Sequence, residues 1–154
     1  MNNPSINKNE QPNRFQDENL KRSDFYKEVC VVCLSCAKKA IATVNFEVKT
    51  ARLLCANCGY NKENSTSIYR YTSAQLSANW YFKVELWLSA PFKKDVFWAY
   101  NYNHLDYLER YISATLREHN DRTGFTLLEK LPKFYHEAKN REALLKIIIK
   151  LKSK

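Results

Sequence analysis

The sequence predicts an α+β fold with two β-hairpins followed by about three C-terminal helices. Two Cys-x-x-Cys turns flank a segment of alternating apolar residues, which predicts the first hairpin. A second alternating segment over residues 80–100 predicts another hairpin that extends the same sheet. Beyond residue 103 the apolar residues recur at helical spacing, so we expect a helical module over residues 103–154 that packs on the sheet.

Residues 1–24 are predicted to form a disordered polar tail. They are rich in Asn, Gln, Glu, Lys and Ser, and their few large apolar side chains include Ile6, Phe15 and Leu20. A segment of this composition buries too little apolar surface to offset the entropy that it loses on ordering.

The first hairpin is predicted within residues 25–65, between the two cysteine turns. Apolar side chains alternate from Ala40 to Phe46, and a returning strand follows at residues 51–54 after a turn near residues 48–50. Because the hairpin carries one cysteine turn at each end, it brings the four sulfurs together. Gly59 follows the second turn, where a positive φ is expected, whereas Ala37 occupies the matching position after the first turn.

The four cysteines of these turns, Cys33, Cys36, Cys55 and Cys58, predict one structural zinc ion. The inner two are separated by 18 residues, which lies within the spacing of four-cysteine zinc sites. Four thiolates complete the tetrahedral shell of zinc and leave no position for a substrate or a water molecule. A rubredoxin-like iron centre uses the same ligands. A second alternative concerns Cys30, because Cys30 and Cys33 also form a Cys-x-x-Cys pair and could replace Cys33 and Cys36 as ligands. The apolar neighbours of Cys30 instead favour a buried free cysteine.

The second hairpin is predicted within residues 66–102, after a polar loop at residues 60–70. Trp80, Phe82, Val84 and Leu86 alternate with polar or aromatic residues, which predicts a strand that ends near Leu88. A turn at residues 90–95 leads to a second strand at 96–100. Most aromatic side chains of residues 69–111 are expected to fill the core between the sheet and the helices.

The first helix is predicted to begin with Asn103 as its cap and Asp106 at the third helical position, and to end before Gly124. Its apolar residues recur every three or four positions. They are Leu105, Leu108, Ile112 and Leu116.

Two further helices are predicted after residue 125. Thr126 and Glu129 have the spacing of a capping box for a short helix, and Pro132 either ends that helix or begins the next one. The last helix is predicted at residues 141–152 with Asn140 as its cap. Its apolar residues cover more than one stripe, which indicates burial together with a seam for a protein partner or a second copy.

The net charge of +9 makes nucleic acid a candidate partner, although such a charge also serves solubility. Residues 28–102 carry +4 and residues 126–154 carry +5 of this charge. We expect basic residues of the first hairpin to contact phosphates, and a face that includes Tyr81 to stack on bases. The candidate contact residues are Lys38, Lys39, Lys49, Arg52, Arg70, Lys83 and Trp87.

With its four cysteines at Cys33, Cys36, Cys55 and Cys58, the chain resembles the zinc-ribbon superfamily, in which two knuckles on a β-hairpin hold one structural zinc. Residues 97–109 and 131–141 are similar to segments of small bacterial proteins that have an N-terminal zinc ribbon, a helical C-terminus and no established activity. The resemblance implies a role in a transcription- or replication-related assembly. Ribbons also serve as protein-docking modules.

The sequence predicts a cytoplasmic protein without enzymatic activity. The N-terminus lacks the apolar core of a signal peptide, and no run of 18 apolar residues predicts a membrane span. Phosphate-binding loops, nucleophile elbows and paired histidines of metalloproteases are absent from the sequence. The alternatives to nucleic-acid binding are a protein-interaction adaptor, which uses zinc as a staple, and a redox iron protein.

Overall fold

The computed structural model describes residues 13–68, 74–118 and 126–154. These residues form an α+β fold with eight strands in three sheets and two α-helices. In chain order the elements are β1 (Arg14–Gln16), β2 (Glu28–Val32), β3 (Lys39–Asn45), β4 (Thr50–Leu54), β5 (Asn61–Ser65), β6 (Leu88–Phe92), β7 (Asp95–Ala99), α1 (Tyr102–Ser113), β8 (Leu116–Glu118) and α2 (Arg141–Lys152).

The largest sheet is antiparallel and has the order β2-β3-β4-β5. Its central hairpin, β3 and β4, lies where the alternating pattern predicted it. The outer strands were not predicted, for different reasons. The sequence of β2 is a continuous apolar run without alternation, and β5 is a polar edge strand with exposed side chains that carry no apolar period.

The inner face of this sheet packs against a 3-10 helix at Ala78–Phe82. Ala40, Ala42 and Ala51 are almost wholly buried there, because their small side chains allow the helix to lie close to the strands. The side-chain amide of Asn64 in β5 donates a hydrogen bond of 2.7 Å to the carbonyl of Tyr81. The helix therefore covers the sheet from β2 to β5.

The prediction of a strand from Trp80 to Leu88 was wrong. The segment begins as the 3-10 helix, in which the adjacent side chains of Tyr81 and Phe82 are both buried. A strand with one exposed face does not bury two successive side chains, because they point to opposite faces. The second hairpin consists instead of β6 and β7, which form a separate two-stranded sheet and do not extend the first one.

The outer edge of β2 is hydrogen-bonded to single residues on either side of that second hairpin. The N–H of Cys30 donates to the carbonyl of Tyr100 at 2.7 Å, and the N–H of Trp87 donates to the carbonyl of Cys30 at 2.9 Å. The N–H of Val32 donates to the carbonyl of Glu85 at 2.9 Å. These bonds join the four-stranded sheet to the rest of the fold.

The described residues contain two α-helices, so the prediction of about three was wrong. α1 is capped by Asn101, whose side-chain oxygen accepts from the N–H of His104 at 2.9 Å, and it ends at Ser113. Thr126 and Glu129 do form the predicted reciprocal capping bonds, at 3.1 and 3.4 Å. These bonds cap a single 3-10 turn at Leu128–Lys130 and not an α-helix. Two further 3-10 turns, at Lys133–Tyr135 and Ala138–Asn140, precede α2.

The last helix has the predicted bounds, although its cap differs from the prediction. The side chain of Asn140 does not cap α2, because it donates to the carbonyl of Phe134 at 3.1 Å and accepts from the ammonium of Lys93 at 2.8 Å. α2 packs on α1 and also contacts β6, and its side chains Leu144, Ile148 and Leu151 are buried. Neither helix of the described ranges has the length and apolar character needed to cross a membrane.

Part of the predicted tail is folded. Residues 1–12 lie outside the described residues, whereas β1 pairs in parallel with β8. Phe15 of β1 is 3% exposed, and its ring meets the rings of Tyr107 and Tyr111 edge-on at 5.5 and 5.4 Å. One aromatic side chain thus anchors a segment that is otherwise polar.

Candidate metal centre

The two Cys-x-x-Cys turns have the same backbone structure, and we name them the first knuckle (residues 33–38) and the second knuckle (residues 55–60). In each, the N–H of the first cysteine donates to the carbonyl five residues later, at 2.8 Å in both. The N–H four residues after that cysteine donates back to its carbonyl, at 3.1 Å for Cys33 and 2.9 Å for Cys55. The chain therefore folds each pair into a tight loop whose sulfurs point to one centre.

The residue after each knuckle's second cysteine has a left-handed backbone. Gly59 has φ of 77° and Ala37 has φ of 58°. The left-handed conformation predicted for Gly59 thus recurs in the first knuckle at an alanine, which adopts it at a steric cost.

The four sulfurs lie within 4.8 Å of one another. Cys33 Sγ is 3.7 Å from Cys58 Sγ, and Cys36 Sγ is 3.6 Å from Cys55 Sγ. Ligand atoms of a regular tetrahedron with metal–sulfur bonds of about 2.3 Å are separated by about 3.8 Å. The four cysteines are therefore positioned to bind a metal ion.

Hydrogen-bond donors surround two of the sulfurs and favour their thiolate form. The backbone N–H of Lys38 and the side-chain amide of Asn57 lower the pKa of Cys36 to about 6, and burial opposes them. Burial raises the pKa of Cys33, but the N–H groups of Cys36 and Ser35 outweigh it, so that this pKa is lowered.

Cys58 shows the opposite shift. The N–H of Tyr60 lowers its pKa, but burial and the hydrogen bonds to the other sulfurs raise it to about 11. Four thiolates this close repel one another, so the cluster does not hold four negative charges by itself. A bound cation removes this penalty, and metal binding deprotonates the ligands.

Cys30 lies outside the cluster. It is buried in β2, where burial raises the pKa of its thiol. The first knuckle therefore contributes Cys33 and Cys36 to the sulfur cluster, and not the alternative pair of Cys30 and Cys33. Across the described ranges, these four cysteines are the one group of three or more Cys, His, Asp or Glu side chains that is placed to hold a metal.

The predicted phosphate contacts lie at separate points along the β3–β4 hairpin. Lys38 and Lys39 are exposed beside the metal centre, and Lys49 is exposed at the other end. The seven residues of β3 separate these ends by about 20 Å. Arg52 lies between them on the outer face, where Glu63 is its cross-strand neighbour.

The predicted stacking face does not form as an alternating strand. Tyr81 is buried, and the ammonium of Lys154 lies 4.2 Å from the ring centroid of Trp87 and donates to its carbonyl at 2.8 Å. Lys83 is exposed, and Arg70 lies outside the described residues. Trp80, which the alternation placed in the core, is 58% exposed. No sequence signal identified it, because the 3-10 helix changes which side chains face inward.

Comparison of the chain with protein-family models, curated proteins and solved structures gives no match. The centre is therefore interpreted from its own residues and distances.

Proposed function

We propose that this chain is a non-enzymatic zinc-ribbon protein in which Cys33, Cys36, Cys55 and Cys58 hold one structural zinc ion. The sulfur–sulfur distances of 3.6 and 3.7 Å carry this proposal, because they match the edges of a tetrahedral thiolate site. Four protein ligands fill the shell of zinc and leave no open position for a reacting molecule. The metal therefore stabilises the two knuckles.

Metal analysis of the purified chain tests this assignment. We expect one zinc per chain in the wild type and less than a tenth of that in Cys55→Ser. Cys30→Ala is the matched control, because Cys30 is buried outside the cluster, and it is expected to retain one zinc. Stoichiometric iron with visible absorption, or zinc retained in Cys55→Ser, would contradict the proposal.

For the metal-stabilised fold, we propose nucleic-acid binding within a transcription- or replication-related assembly. The support is a net charge of +9 and the exposed cations Lys38, Lys39 and Lys49 on the ribbon hairpin. Phosphate contacts release counterions, so binding of this kind weakens steeply with salt.

A salt series on labelled DNA and RNA tests this proposal. The double variant Lys38→Ala/Lys39→Ala is expected to weaken binding and to reduce the slope of log K against log[salt] by about 1.4–1.8, which corresponds to two lost phosphate contacts. Lys146→Ala is the control, because Lys146 on α2 is already paired with Glu142 at 2.8 Å. Wild-type protein that shows no affinity at low salt would refute nucleic-acid binding.

Exposed leucines beside the metal centre favour a second candidate, a protein-interaction adaptor. Leu34 in the first knuckle is 52% exposed, and Leu54, next to Cys55, is 44% exposed. Under this alternative, nuclease-treated pull-downs with Leu34→Ser/Leu54→Ser lose a partner that the wild type retains, while affinity for nucleic acid is unchanged. A partner lost on nuclease treatment alone would instead favour nucleic-acid binding.

A further inference from the structure

Trp80 is an exposed indole on an element whose other large side chains are buried. Trp80 is 58% exposed, whereas Tyr81 and Phe82, the next two residues, are 5% and 6% exposed. Tryptophan side chains are highly buried on average in folded proteins. The exposed face of Trp80 is therefore open to a ligand.

The helix that carries Trp80 is held on both sides. The N–H of Ala78 donates to the carbonyl of Tyr26 at 3.0 Å, and the amide of Asn64 donates to the carbonyl of Tyr81 at 2.7 Å. The hydroxyl of Tyr81 accepts from the N–H of Leu76 at 3.3 Å. Because the backbone is fixed before any ligand arrives, binding on the indole face costs little ordering entropy.

Two exposed lysines lie at the end of the helix that carries this indole and on a strand next to that helix. Lys83 ends the same helix, is exposed, and donates its N–H to the carbonyl of Trp80 at 3.3 Å. Lys62 is exposed on β5, opposite Leu53, whose side chain belongs to the sheet face that the helix covers. Glu85 is the one acidic residue within five positions of Trp80 along the chain. The end of the carrying helix and the adjacent strand thus each offer one exposed lysine, and Glu63 next to Lys62 lies on the opposite face of β5, opposite Arg52.

The combination of a flat exposed ring and neighbouring cations is the chemistry that binds single-stranded nucleic acid. Bases of a single strand stack on aromatic side chains, and lysines track the phosphates. Bases of a duplex stack on one another, so they do not offer their faces to a side chain. Trp87 does not serve this purpose, because Lys154 already covers its ring.

We propose that Trp80 stacks on an unpaired base of single-stranded DNA or RNA while Lys62 and Lys83 contact the flanking phosphates. This inference rests on the proposed nucleic-acid binding and specifies its ligand as an unpaired strand.

Fluorescence anisotropy with the full zinc-loaded chain tests this inference, using labelled dT20, labelled rU20 and a 20-base-pair DNA duplex. Trp80→Ala is expected to weaken binding of both single strands by about 5- to 150-fold, the range found for loss of one stacked base. Its affinity for the duplex is expected to stay within about twofold, with an unchanged salt slope. Trp80→Phe keeps an aromatic face and is expected to recover most of the lost affinity.

Val96→Ala is the control for surface truncation, because Val96 is 52% exposed on β7. It is expected to bind all three probes like the wild type, and each variant is checked for one zinc per chain. If the wild type binds single strands and Trp80→Ala binds them equally well, the stacking inference is overturned and nucleic-acid binding stands. If the wild type binds no probe at low salt, both proposals fail.

Discussion

At the scale of single residues, the two knuckles differ in how easily their backbones adopt the shape that the metal centre needs. Both turns require a left-handed residue, which is glycine at Gly59 and alanine at Ala37. A Cβ added at Gly59 would meet no atom within 4 Å. The difference between the two positions is therefore one of backbone strain and not of packing.

Ala37→Gly is expected to stabilise the zinc-loaded protein by roughly 0.5–1 kcal/mol. Relief of the left-handed strain, about 1–2 kcal/mol, outweighs the extra entropy of glycine in the unfolded chain, about 0.4–1 kcal/mol. Gly59→Ala is the reciprocal variant and is expected to destabilise by about the same amount. Denaturant unfolding with zinc in excess measures both effects. A destabilised Ala37→Gly would show that the strain is not the controlling factor.

His104 is a buried histidine in the first turn of α1. The N–H of Tyr100 donates to its Nδ1 at 3.1 Å, and Phe25 stacks on its ring at 4.9 Å. Burial, with a smaller contribution from Arg22, lowers the pKa of His104 to about 3. The side chain therefore stays neutral in the folded protein at pH values where an unfolded histidine gains a proton.

This lowered pKa makes the protein less stable in acid. Between the unfolded pKa of about 6.5 and the folded value, only the unfolded chain binds the proton, so the free energy of unfolding falls as the pH falls. From pH 7.5 to 5.5 the loss due to His104 is expected to be about 1.4 kcal/mol.

His104→Asn keeps an acceptor for the Tyr100 N–H and removes the titration. Metal release in acid affects both proteins, so the difference between their unfolding free energies with saturating zinc isolates the histidine. That difference is expected to narrow by about 1.4 kcal/mol on going from pH 7.5 to 5.5. A constant difference would contradict the lowered pKa.

At the scale of secondary-structure elements, β1 shows how one side chain orders a polar segment. Composition alone predicts disorder there, because three residues with one aromatic bury little surface. The aromatic lies against α1, and the carbonyl of Asn13 accepts from the N–H groups of Thr115 and Leu116 at 3.0 and 3.2 Å. The partners are about 100 residues away along the chain, so no local pattern reveals them.

Phe15→Ala is expected to release β1 without unfolding the four-stranded sheet. Truncation of a buried aromatic side chain typically costs about 3–5 kcal/mol. The backbone hydrogen bonds of a three-residue strand contribute less free energy than this, so they do not hold β1 in place by themselves. Hydrogen exchange at the N–H groups of Thr115 and Leu116 is expected to accelerate strongly, while exchange in β3 and β4 is unchanged. Arg14→Ala is the control, since its exposed ion pair with Glu118 contributes about 1 kcal/mol or less.

At the scale of the whole molecule, the four-stranded sheet that carries the cysteine cluster is hydrogen-bonded to the first α-helix. The side-chain amide of Asn101 donates to the carbonyls of Phe25 and Glu28 at 2.9 and 2.8 Å, while its oxygen caps α1. The outer edge of β2 is bonded to Glu85, Trp87 and Tyr100 as described above. We therefore expect a loss of order in the four-stranded sheet to disturb the start of α1.

Chelation of the metal, or Cys55→Ser, is expected to lower the melting temperature of the whole chain by at least about 20 °C. Metal binding contributes about 10 kcal/mol or more to folding in small zinc domains, and each lost kcal/mol shifts the midpoint by about 2–4 °C in a chain of this size. Differential scanning calorimetry with and without a chelator measures the shift. If the helical part unfolds at an unchanged temperature, the cysteine-bearing sheet folds as an independent unit. Cys30→Ala, which is expected to keep one zinc, serves as the control.

The predictable parts of the fold are those with strong local signals. The cysteine spacing identified Cys33, Cys36, Cys55 and Cys58, which the structure brings together, and alternation identified β3 and β4. The bounds of α2 followed from helical spacing and the polar residues before it. Segments 80–87, 114–118 and 128–140 were predicted incorrectly, because their aromatic and apolar residues fit a strand or a helix pattern while forming short 3-10 turns and a small strand.

The sequence by itself determined the four clustered cysteines, the hairpin between them and the basic character of the chain, because each depends on residue type and short-range spacing. The tertiary structure decided which surfaces remain exposed. It buried Tyr81, covered Trp87 with Lys154 and left Trp80 open. These outcomes depend on where a 3-10 helix rests on a sheet and on where Lys154 packs, and such long-range packing has no period in the sequence.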